Sequence, residues 1–233
     1  MPRKIIVAMM MMGISGMAFA GGMDDSLRYE VSIDQLEFRQ THGANPLVWK
    51  ADAWIGKDLH KFLFKTEGER ADGEIGELET QFLYSRAMTP SWDLQVGWRH
   101  DVKPKPTRDW LVIGFEGLAP YGIETETGLF IGESGQLGFG LEAEYEYRLT
   151  QRLVLSPEIE VSLHGKDDED TGIGSGFSDL ELGLRLGYEI QREFVPYIGV
   201  NWTKMFGETA DFARDEGEDT NDIQIVTGIR VLF

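Results

Sequence analysis

The sequence predicts an all-β fold, a transmembrane antiparallel β-barrel of about 12 strands with short periplasmic turns and longer extracellular loops. Three observations point there. Apolar residues recur at every second position from Leu27 to Phe233, the period that puts successive side chains on opposite faces of a sheet. Several alternating segments have the roughly 9–11 residues that a tilted strand needs to cross a bilayer. The chain also opens on an export signal: Arg3 and Lys4, an apolar stretch from Ile5 to Met17, and the small-x-small site Ala18-Phe19-Ala20. Residues 1–20 are therefore expected to be a signal peptide, 21–26 a short N-terminal segment and 27–233 the barrel. A mean hydropathy of −0.25 fits this class, because a barrel alternates its apolar residues instead of concentrating them.

Composition removes other classes. Among 233 residues, 22 Lys and Arg stand against 40 Asp and Glu, a net charge of −18, which becomes −20 once Arg3 and Lys4 are lost with the signal. Such a chain repels a polyanion, so no nucleic-acid partner is expected. The absence of Cys excludes disulfides, thiolate metal sites and cysteine nucleophiles.

In chain order, strands are expected near 27–38, 47–56, 60–67, 74–85, 92–101, 109–118, 122–132, 137–148, 153–164, 177–190, 194–206 and 222–233. The connections 39–46, 68–73, 102–108, 133–136, 165–176 and 207–221 are mostly long and polar. Those at 57–59, 86–91, 119–121, 149–152 and 191–193 are mostly short. That alternation matches long outer loops and short periplasmic turns. In the segment at 137–148, Leu137, Phe139, Leu141, Ala143, Tyr145 and Tyr147 lie opposite Gly138, Gly140, Glu142, Glu144, Glu146 and Arg148. Leu180, Leu182, Leu184, Leu186 and Tyr188 repeat the pattern, as do Ile223, Ile225, Ile229, Val231 and the terminal Phe233. A soluble sandwich or lipocalin-like barrel alternates too. Here, however, the polar face carries Gly beside opposite charges, as a crowded polar lumen requires. Trp49, Trp54, Trp92, Trp98, Trp110 and Trp202 fall near segment ends, where interfacial girdles form.

Parity assigns a lumen charge network: Glu77, Glu79, Glu124, Glu126, Glu142, Glu144, Glu158, Glu160 and Glu181, with Arg99, Arg185 and Arg230. So many confined acids demand ion pairs or bound cations. Two readings follow, a salt-bridged plug and a cation-attracting lumen. None of the four histidines, His42, His60, His100 and His164, has HxxxH or HExxH spacing. His42 and His100, at the outer rim, with Asp101 beside them, form a candidate metal set, because imidazole and oxygen ligands suit Cu(II). The acidic runs at 167–170 and 215–219 read as outer loops facing lipopolysaccharide through divalent cations. No GxSxG supports a lipid-active hydrolase, so no enzymatic role is expected.

The residues also resemble a known family. His42-Gly43-Ala44-Asn45-Pro46, Leu83-Tyr84-Ser85-Arg86, Trp92-Asp93-Leu94-Gln95-Val96-Gly97, Arg99-His100-Asp101, Gly117-Leu118-Ala119-Pro120-Tyr121 and Gly172-Ile173-Gly174-Ser175-Gly176 occur in order along the chain. Together they are similar to the outer-membrane copper resistance protein B family, from about Arg28 to Phe233. The resemblance implies an outer-membrane barrel that contributes to copper tolerance by binding or exporting copper ions, acting with periplasmic copper-handling proteins. Family members often carry a Met- and His-rich segment before the barrel; here only Met23 stands between Gly21 and the first strand.

Overall fold

A computed structural model describes residues 26–41, 45–133 and 135–233. The expected signal peptide and His42 lie outside them. The alternating segments form β1 (Arg28–Gln40), β2 (Leu47–Lys57), β3 (His60–Ala71), β4 (Glu74–Thr89), β5 (Trp92–Lys103), β6 (Arg108–Ala119), β7 (Ile123–Gly132), β8 (Leu137–Glu144), β9 (Tyr147–Arg148), β10 (Leu153–His164), β11 (Gly176–Tyr188), β12 (Phe194–Met205) and β13 (Asn221–Leu232). All thirteen belong to one sheet. Because β8 and β9 lie end to end against β10, they count as one stave and the barrel has twelve. Antiparallel pairing of β1 with β13, and of β10 with β11, closes the ring.

Closure removes free sheet edges, so every stave satisfies its backbone groups on both sides without water, as lipid demands. The two surfaces divide as parity requires. Phe82, Ile198, Ile223 and Ile225 are exposed on the outside, whereas Glu37, Gln95 and Asn201 are buried on the inside. This arrangement would be inverted in a soluble barrel. Ile198 sits in mid-strand and is 60% exposed. Placing Arg there is expected to cost about 2–4 kcal/mol of folding free energy in vesicles. A denaturant titration in which Ile198→Arg matches the wild type would place this face away from lipid.

Four details differ from the sequence reading. The connection expected at 68–73 shrinks to Asp72-Gly73, because β3 runs on to Ala71; φ values of 51° and 89° form the tight turn that Asp-Gly favours. The loop expected at 207–221 contains a helix, α1 (Gly207–Glu216), where no sustained helical period is visible. Only Ala210 and Ala213, three apart, are apolar and buried on it, and Gly217 closes its C-terminus at φ 83°. Trp54 and Trp110 face the lumen and not the lipid interface, Trp54 lining the internal cavity and Trp110 donating to Asp101 at 2.7 Å. The lumen also holds an apolar cluster, Leu63, Leu83 and Val112 with Trp54 and Phe130 against them. Gly128 makes room for the Phe130 ring, since a Cβ there would lie 2.7 Å from it.

A carboxylate-lined lumen as candidate functional site

Both ends of the sheet, the start of β1 and the end of β13, lie at the end that carries the short turns, the periplasmic side in barrels of this type. A cavity of about 1030 Å³ opens there. Among the described residues, twelve carboxylates and seven Lys or Arg side chains line it, a formal net charge of five negative, and no described His or Met contributes. Near the mouth, Ser32 Oγ lies 3.0 Å from an Asp34 oxygen and 2.5 Å from an Asp52 oxygen. Such a negative cleft with low-dielectric walls concentrates cations.

Cationic side chains brace the lumen from wall to wall. Lys50 of β2 pairs with Glu142 of β8 and lies 3.7 Å from Glu67. Lys65 of β3 reaches Glu116 of β6 at 3.0 Å and Glu126 of β7 at 2.6 Å. Arg230 of β13 holds Glu144 at 2.8 Å and Glu146 at 3.1 Å, and Glu124 stands beside Glu144 in the sheet. At mid-depth the Arg185 guanidinium donates to both Glu37 oxygens, at 3.0 and 3.1 Å, and to Glu158. Arg39 joins Glu37 at 2.8 Å to Glu181 at 2.9 Å. Toward the outer end Arg99 pairs with Glu79 and Asp101, each at 2.7 Å, and lies over the Phe130 ring. Glu77 stands opposite Glu69, and Glu160 between Glu142 and Glu181.

The outer loop between β10 and β11 folds back onto this frame. Arg108 grips Asp168 with two hydrogen bonds, of 2.7 and 2.8 Å, and Gln136 adds a third at 2.7 Å. The Arg108 hydrogen bonds hold the Asp168 carboxyl below its ordinary range. A depressed folded-state pKa means that this contribution is fully present above the ordinary carboxylate value and fades as pH falls through the lowered one. Arg108→Ala is accordingly expected to speed protease cleavage within 165–175 at neutral pH. An unchanged cleavage rate would show that the loop is held by other contacts.

His42 lies outside the described residues, and the other two members of the candidate metal set do not converge. His100 and Asp101 are consecutive in β5 and face opposite sides, because strand side chains alternate. His100 stacks on Trp98 and lies 2.7 Å from Asp109 on the outer surface, while Asp101 binds Arg99 and Trp110 inside. His164 is held by Ser178 at 2.8 Å and His60 by Tyr84. Among the described residues, no three His, Asp or Glu side chains converge closely enough to hold a metal ion. Sequence reasoning missed Asp34, Glu37, Asp52 and the three lysines Lys50, Lys61 and Lys65. Their signal is the same two-residue parity, weaker in β1 to β3 because basic and apolar residues share the inward face.

A family model described as copper resistance protein B precursor (CopB) matches residues 27–233. The copper resistance protein B of Escherichia coli is 43% identical over 210 residues, covering 90% of this chain and 71% of that one. A copper resistance protein B homolog of Pseudomonas syringae pv. tomato is 40% identical over the same shares. Among solved structures, the NanC porin superposes with a TM-score of 0.58 at 11% identity, covering 88% of this chain and 99% of that one. Outer membrane phospholipase A from Escherichia coli gives 0.52 at 14%, covering 85% and 92%. At these identities the structural likeness shows the fold alone: an outer-membrane barrel, surrounded by lipid and lipopolysaccharide. With the family model spanning the whole barrel and two relatives above 40% or at it, the chain belongs to the copper resistance protein B family.

Proposed function

We propose that the barrel is a non-enzymatic copper-handling protein that takes copper ions from the periplasm into its acidic cavity and passes them outward, receiving them from periplasmic copper-handling proteins. The observation that carries this reading is the cavity at the turn end, with five net negative charges and oxygen ligands throughout. Carboxylates suit Cu(II) better than the softer Cu(I), which favours thioether and thiolate sulfur. Deleting the gene is expected to lower the copper concentration a culture tolerates, and expression of the wild-type chain to restore it. Equal tolerance with and without the protein would count against the reading.

The wall-to-wall ion pairs favour a second reading, a braced structural barrel or general porin without metal preference. Liposome swelling in sugars, measured beside copper flux, separates the two: a general pore admits both, and a braced shell admits neither.

A further inference from the structure

In an antiparallel sheet, residues directly opposite one another share a face with Cβ atoms about 4.5–5.5 Å apart, and like charges placed there are destabilising. The lumen nevertheless contains a continuous row of them. Asp93 pairs with Glu116, Glu116 with Glu126, Glu126 with Glu142, Glu142 with Glu160, and Glu160 with Glu181, on six adjacent staves. Thr203 and then Asp222 extend it across β12 and β13. Barrel strands tilt, so a row perpendicular to them climbs. Asp93 is the second residue of β5, at the turn end, and Asp222 the second of β13, at the loop end. Seven steps of about 4.8 Å at a tilt of roughly 40° rise about 20 Å, most of the roughly 25 Å apolar band.

The counter-charges are mobile in kind. Lys61 reaches Asp93 at 3.3 Å, Lys65 holds Glu116 and Glu126, and Lys50 holds Glu142, all from β2 and β3. Each is an ammonium on a flexible stem, a tethered cation that an incoming ion can displace. Arg39 holds Glu181, which leaves Glu160 as the member of the row without an ion-pair partner among the described residues. Beside the upper end lies a second, independent feature. Asn201 is fully buried and donates to Thr203 Oγ1 at 3.4 Å, while its own Oδ1 has no donor among the described residues. Gln224, its partner across the sheet, has an unpartnered buried Oε1 as well. Carboxylate and amide oxygens without donors are what a divalent cation requires of its ligands.

We propose that this row is a cation ladder: a divalent cation entering the cavity steps from carboxylate to carboxylate across the membrane, displacing the tethered lysines, and reaches the amide oxygens of Asn201 and Gln224 at the outer end. The ladder rests on the transport reading above and gives it a route.

The test uses the full barrel reconstituted in liposomes that enclose a dye quenched by Cu(II), with copper chloride added outside. Heat-modifiable migration on gels confirms that each variant is folded. Glu160→Gln is expected to slow quenching roughly tenfold, the lower end of what losing a steering charge in a cleft does. Glu160→Lys, which fills the unpaired position with a tethered ammonium, is expected to abolish it. Glu133→Gln removes an exposed carboxylate from the outer loop between β7 and β8, outside the lumen, and is expected to leave the rate unchanged. If the wild type passes Cu(II) and Glu160→Gln does so equally fast, or Glu133→Gln slows it as much, the ladder is wrong and copper transport stands. If the wild type passes Ca(II) but not Cu(II), with the same dependence on Glu160, the ladder stands and the copper reading falls. A wild type that passes neither cation overturns the ladder.

Discussion

Replacing Arg185 with methionine is expected to destabilise the folded barrel by about 3–5 kcal/mol, the range for removing one partner of a buried ion pair. Arg185 is 4% exposed and Glu37 is 0% exposed. The guanidinium satisfies both oxygens of Glu37 and also holds Glu158. Arg39 and the Tyr197 hydroxyl would remain on Glu37 at 2.8 and 3.0 Å, which leaves a carboxylate still buried but with half its charge compensation gone. Lys61→Met, by contrast, removes a pair that water reaches from both sides and is expected to cost about 1 kcal/mol or less. Guanidinium titration in phospholipid vesicles measures both. Equal losses would mean that Glu37 is hydrated and that the middle of the lumen is not dry. The double variant Glu37→Gln with Arg185→Met should recover part of the loss, because the charge left stranded by the single change is gone.

Neutralising four carboxylates that line the cavity, Glu30, Asp34, Asp52 and Glu124, is expected to slow copper entry about tenfold or more at low ionic strength. Twelve acids become eight against seven bases, so the cavity falls from five net negative charges to one. The origin of the effect can be read from salt. At 0.1 M the screening length is about 10 Å and the mouth still feels the cavity, whereas at 1 M it is about 3 Å and the variant should approach the wild type. A gap that persists unchanged in high salt would point to lost ligands instead of lost steering. An entry rate equal to the wild type in low salt would contradict the electrostatic account outright.

Strand positions were legible because lipid enforces a strict two-residue period: the segments expected at 47–56, 137–148 and 153–164 lie within one residue of the observed ends, with a break at Tyr145 and Glu146. Parity alone was enough to separate His100 from Asp101, since neighbours on a strand cannot share a face. The helix at Gly207–Glu216 escaped because two buried alanines do not make a period, and its position depends on Gly174, whose amide donates to Thr209 Oγ1 at 2.9 Å. Which acid meets which base was not legible. Lys50 and Glu142 are 92 residues apart and meet only because the closed ring sets the width of the lumen. The row from Asp93 to Glu181 needed the register of six staves, a quantity that alternation within one strand does not contain.

Binding of copper in this oxygen-lined cavity is measured by calorimetric titration of the folded barrel in detergent with copper(II) chloride. A saturable heat is expected for the wild type, weakened when Glu30, Asp34, Asp52 and Glu124 are neutralised together. A titration that shows only the heat of dilution for the wild type, or an identical saturable heat for both proteins, would contradict it.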